Sequence, residues 1–185
     1  MTERNTVLRS MHDLGLAAWF GGSLMGAVGL NGAANDVTDR TDRARIASVG
    51  WGRWSPVNAA AIGTHVIGAA GMLVANRNRV AAQEGVGSMS TAKTALTAAA
   101  IGATAYSGTL GAKVASAGRV DAEGGNIPSA ATPDDVAKAQ QQLRLVQWVI
   151  PALTGALVVV SAFAGEQQRG DEQARGVVQK LLSAR

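Results

Sequence analysis

No cysteine occurs in the 185 residues, which removes disulfides, thiolate metal sites, iron–sulfur clusters and thiol catalysis together. Histidine is nearly absent too, with only His12 and His65, so a metal site built on imidazoles would need carboxylates beside them. Charge of either sign is sparse. Seventeen basic residues against thirteen acidic leave a formal charge of +4, and the basic residues sit singly between apolar blocks, not in a stripe with interleaved aromatics. Nucleic acid is therefore not an expected partner.

The most telling absence is local. Asp, Glu, Lys and Arg are missing from four whole stretches: Leu14 to Asn35, Trp54 to Asn76, Thr94 to Ala112 and Leu145 to Gly165. An α-helix rises 1.5 Å per residue and the hydrocarbon layer is about 30 Å thick, so a span needs about 20 such residues. A soluble helix normally shows charge every three or four residues on its wet face. The expected fold class is therefore all-α: a polytopic membrane four-helix bundle in one domain, residues 1–185, with those stretches as spans. The third is the weakest by hydropathy, being rich in Thr and Ala, and its small residues suit a helix enclosed by protein. The first is too long for a signal peptide and lacks a small-x-small cleavage site, so it is read as a span.

The connectors are expected from Asp36 to Arg53, Arg77 to Lys93, and Lys113 to Arg144. Gly118 to Ala131, rich in Gly, Ala and Ser, reads as an irregular surface loop. Thr132, Pro133, Asp134 and Asp135 then signal a helix start, with Thr132 as N-cap, Pro133 in the first turn and acids at the positive end of the dipole. The fourth helix should begin near Pro133, project beyond the membrane and kink at Pro151. Gln140, Gln141 and Gln142 on that projecting part offer neutral hydrogen-bonding side chains for partner docking. The polar tail, 166–185, carries Val177, Val178, Leu181 and Leu182 at helical spacing and suits an amphipathic helix.

With four spans both termini share a side. Nine basic residues fall there and eight on the other, so the positive-inside rule barely discriminates. Both termini are placed in the cytoplasm because the Gly/Ser-rich loop after the third span most resembles an exported one. Trp51, Trp54 and Trp148 fall at the starts of the second and fourth spans and read as an interface belt. Gly22 and Gly26 form a GxxxG packing face.

Few residues carry chemistry. His65 lies inside the second span, where an ionisable group is costly and hence a functional candidate; its simplest role is a hydrogen bond to a neighbouring helix. Ligation of haem b by His65 with His12 is the redox alternative. Counting from the starts of the spans puts His12 near the membrane edge and His65 near its middle, with heights differing by roughly 10 Å. No carboxylate at depth supports coupled transport, and no nucleophile–base pair supports hydrolysis.

His12 followed by Trp19-Phe20-Gly21-Gly22 resembles the opening helix of small four-helix bacterial membrane families, among them copper-resistance D-like proteins. That resemblance is carried only by the residues from His12 to Gly22. Copper chemistry is not implied, since cysteine is absent and the methionines are not clustered. The Ala, Gly and Arg bias and the segment Trp51-Gly52-Arg53-Trp54-Ser55-Pro56 resemble actinobacterial membrane proteins of unknown function, which implies a multi-pass protein of the bacterial cytoplasmic membrane and no particular activity. The expected function is a non-catalytic accessory or structural subunit, bound to a membrane-protein partner or to copies of itself. The alternatives are a haem-binding electron carrier using His65 and a small transport-related membrane protein.

Overall fold

The computed structural model describes residues 5–75 and 86–183, with side chains for 5–75 and 89–163. It is 85% helical, with four long helices and one two-stranded sheet. The helices are α1 (Thr6–Asn35), α2 (Arg40–Ala75), α3 (Val86–Ser116) and α4 (Asp134–Ser183). Strands β1 (Ala122–Gly124) and β2 (Ile127–Pro128) lie between α3 and α4 and pair antiparallel, Ala122 opposite Pro128 and Gly124 opposite Ile127. Among the described residues three helices are long and apolar enough to cross a membrane: Thr6–Asn35, Arg40–Ala75 and Asp134–Phe163. The Thr- and Ala-rich α3 falls short of that measure.

Two antiparallel hairpins, α1 with α2 and α3 with α4, pack side by side, with α1 also against α4 and α2 against α3. The first hairpin is tight because glycines face backbone. A Cβ on Gly68 would lie 2.5 Å from the His12 nitrogen and 2.6 Å from the Leu8 carbonyl oxygen, and one on Gly15 would lie 2.5 Å from the His65 nitrogen. Only glycine permits that approach, which brings the two helix backbones into dispersion contact. The second hairpin is sealed by Leu110 and Val114 of α3 against Val136 and Ala139 of α4.

Several expected boundaries move. The connector read as Asp36 to Arg53 is mostly helix, because α2 starts at Arg40 and leaves only a short turn. Asp39 caps α2, its carboxylate accepting from the Thr41 amide at 2.9 Å and the Thr41 hydroxyl at 2.7 Å, and these bonds hold its pKa below the usual 3.8. The loop Gly118 to Ala131 is not an irregular surface feature. Ala122, Gly124, Gly125 and Asn126 are buried, and the hairpin closes one end of the bundle. Gly118, with φ of +70°, lets the chain leave α3 sharply. Helix α4 starts where expected, but Thr132 does not cap it; its hydroxyl donates to the Asp121 carbonyl and accepts from the Ser129 amide, tying the turn to the hairpin. Pro151 lies inside α4 without interrupting it. The tail is helical to Ser183, while the side chains of Val177, Val178, Leu181 and Leu182 lie outside the described residues.

Among the residues whose side chains are described, most of the charge lies at the closed end. Arg40 pairs with Asp121 at 3.1 Å and Glu123 at 2.8 Å, Arg119 with Asp39 at 2.8 Å and Asp42 at 3.2 Å, and Lys113 with Asp135 at 3.3 Å. Each exposed pair alone contributes little. Together they tether the α1–α2 turn, the β-hairpin and the ends of α3 and α4.

Candidate functional site: two buried polar clusters

The first cluster joins α1, α2 and α3. His12 and His65 are both buried and their rings touch, centroids 4.4 Å apart and planes tilted by 43°. This overturns the expected 10 Å difference in height. Heights counted from the starts of two charge-free stretches ignore where the chain turns; α1 and α2 reverse at Asp36–Asp39, and His12 and His65 lie nearly equal distances on either side.

Partners assign the protons. The His12 carbonyl can only accept, so His65 donates to it from Nδ1 at 3.1 Å, leaving Nε2 to accept from the Thr97 hydroxyl at 3.4 Å. His12 Nδ1 donates to the Asp13 carboxylate at 2.8 Å, and that carboxylate reaches the surface. Trp19, fully buried, stands edge-on to His65 at 6.2 Å and donates its indole N–H to Thr104 at 3.2 Å. Thr97 and Thr104 thus link helices, whereas Thr94 and Thr109 bond back to their own helix.

A macrocycle between two axial imidazoles must separate their rings, and these two are in contact. As arranged, the pair offers no slot for haem. Among the described residues no group of three or more His, Asp or Glu converges as metal ligands. The geometry instead fits interhelical hydrogen bonding.

The second cluster lies toward the closed end and was not foreseen. Trp51 Nε1 donates to Asn31 Oδ1 at 3.0 Å, Asn31 Nδ2 donates to Gln147 Oε1 at 2.8 Å, and Asn126 Nδ2 donates to the same oxygen at 2.7 Å. The Gly125 amide donates to Asn35 Oδ1 at 3.1 Å. One chain of bonds therefore joins α2, α1, α4 and the hairpin. It depends on a π-helical turn in α1, Gly26–Leu30. In a regular helix Asn31 would be rotated by about 120° from Trp19, at 100° per residue. The wider π turn takes up much of that rotation and brings Asn31 inside. The spacing of Trp19, Ser23, Ala27 and Asn31, all buried at intervals of four, is the signal that could have revealed it.

Gln147→Leu removes the acceptor of two buried amides. It should destabilise the fold by about 2–4 kcal/mol, whereas Gln147→Glu, which keeps both bonds, should be much milder. Thermal unfolding of the two variants in detergent makes the comparison; equal losses would contradict this role.

The remaining predicted residues are placed as follows. Gly22 and Gly26 are packing positions, but each receives an indole, Trp54 on Gly22 and Trp51 on Gly26. Trp51 directs its N–H into the protein, and Trp148 is half exposed. Gln140 is fully buried, donating to the Gly125 carbonyl at 3.5 Å, so it faces the core rather than a partner. Gln141 and Gln142 are exposed, and Gln142 accepts from the Tyr106 hydroxyl at 3.0 Å.

The chain matches no protein-family model, no curated protein and no solved structure. What it does is read from its own geometry.

Proposed function

We propose that the chain is a four-span protein of the bacterial cytoplasmic membrane, both termini cytoplasmic, that acts as a non-catalytic subunit of a larger membrane assembly or of a homo-oligomer. The observation that supports membrane insertion is the outer surface. In the most apolar window of each qualifying helix only 33%, 17% and 22% of residues are buried. Leu14, Met25, Ile67, Val74, Leu145, Val159 and Phe163 point outward. So much apolar surface is untenable in water and ordinary against lipid. Helix α3 is the fourth span, carried by its neighbours rather than by its own hydropathy.

The subunit reading rests on the interior and on α4. Interior polar groups are largely spent on one another, as glue between helices. A transport path would need groups free to meet a solute. Helix α4, at about 75 Å for its 50 residues, exceeds any bilayer. Its residues 166–183 extend past the apolar stretch and offer a partner a helix to pack on. Extraction in several mild detergents followed by native mass spectrometry tests this. A discrete oligomer or a reproducible co-purifying membrane protein is expected; a bare 18.8 kDa monomer in every detergent would sink the subunit reading.

A further inference from the structure

The imidazoles of His12 and His65 sit in the tightest part of the α1–α2 seam. Gly68 lies against the backbone nitrogen of His12 and Gly15 against that of His65, and the rings touch with centroids 4.4 Å apart. His65 is wholly buried and His12 is 2% exposed, so a charge on either ring would be held without water. The neutral pair is well satisfied. His65 gives its one N–H to the His12 carbonyl and accepts at Nε2 from Thr97, so a proton arriving at His65 must take the nitrogen on which its link to α3 depends.

Few charges surround the pair. On α1, Asp13 accepts from His12 at 2.8 Å and is itself largely exposed, which gives protons a way in from the surface; Arg9 lies one turn earlier. On α3, Lys93 precedes Thr97 by one turn, and its ammonium is within electrostatic reach of both rings. On α2 no other titratable residue lies between Trp54 and Ala75, and α4 has none between Leu145 and Phe163. Asp13 alone favours a proton here, against Lys93, Arg9 and the second ring.

We infer that the His12–His65 contact is a proton-operated latch: neutral imidazoles hold the α1–α2 seam closed, and proton uptake parts the two helices at the end of the bundle away from the β-hairpin. The ordinary imidazole pKa of about 6.5 sets the window. Separated, hydrated rings bind a proton more readily than the buried pair. The closed seam therefore has its full stability above about pH 6.5 and loses it as the pH falls below that value. A single chain suffices for this, whatever its partner.

The chain has no cysteine, so pairs of spin labels report the seam directly. Val7→Cys with Val74→Cys marks the end at the latch and Val28→Cys with Val49→Cys the end near the β-hairpin; all four positions are exposed. Double electron–electron resonance on the full chain in detergent compares the distances at about pH 7.5 and about pH 5, on either side of the imidazole range. The first pair should lengthen by several ångströms at the lower pH while the second stays unchanged. His12→Asn combined with His65→Asn should abolish the lengthening. If that double variant does not fold, Asp13→Asn should move the transition to higher pH and Lys93→Met to lower pH, since the first removes the charge that favours a proton on the closed pair and the second one that opposes it. Asp13 is 61% exposed and Lys93 is partly exposed, so both changes spare the packing. Distances indifferent to pH, equal lengthening of both pairs, lengthening that survives the loss of both histidines, or a transition unmoved by both charge variants overturns the latch.

Discussion

Gly68→Leu should abolish the native bundle. The position faces the His12 nitrogen and the Leu8 carbonyl across the α1–α2 seam, where even a methyl group meets backbone at 2.5–2.6 Å. Backbone cannot rotate aside as a side chain can, so the helices must separate along the length that carries the His12–His65 contact. Overpacking a dense interior typically costs 1–3 kcal/mol and occasionally more, and a clash with backbone from a helix held on both sides belongs at or beyond the top of that range, about 3 kcal/mol or more. Gly21→Ala is the control, because a Cβ there meets nothing within 4 Å and glycine disfavours helix; it should be neutral or stabilise by a few tenths of a kcal/mol up to about 1. Thermal or denaturant unfolding in one detergent compares the two. A Gly68→Leu variant as stable as the parent would falsify the close-packed seam.

Trp19→Ala should be the second most damaging change. The indole is fully buried against Ala100, Ile150 and the edge of His65, and its N–H reaches Thr104, so one side chain joins all four helices. Removing it opens a cavity. On the proposed membrane reading the transfer part of the usual 3–5 kcal/mol for a large aromatic is diminished, since lipid is as apolar as the core, but the lost packing remains; about 3 kcal/mol is expected. Trp19→Phe keeps most of the volume and forfeits the hydrogen bond, for about 1 kcal/mol. The two variants, measured by unfolding in the same detergent, should differ clearly; equal effects would show that the hydrogen bond rather than the packing holds the helices.

The candidate sites were unevenly legible. His65 was visible as an anomaly because an imidazole inside an apolar run needs a partner wherever the chain folds. Its partners were not, since they lie on α1 and α3 and depend on how the hairpins meet. The amide cluster of Asn31, Gln147 and Asn126 went unseen because Asn31 and Gln147 are ordinary polar residues near the ends of apolar stretches and Asn126 sits in the loop read as irregular surface. The three glutamines at 140–142 looked equivalent as a run, yet a helix turns 100° per residue, so Gln140 faces the core while Gln141 and Gln142 face outward.

What the sequence by itself determined is the set of long helices and their apolar surfaces: on the proposed membrane reading, long stretches without charge leave backbone groups no better solution than an α-helix, and this holds before any contact forms. The acids and Pro133 likewise marked the start of α4. Only the tertiary structure decided which depths coincide. A turn at Asp36–Asp39 rather than a long connector brings His12 level with His65, and a π turn near the end of α1 rotates Asn31 toward Gln147. Both are matters of register and rotation between elements far apart in the chain, fixed by glycine facing backbone and indole facing glycine, and no local preference of the residues involved encodes them.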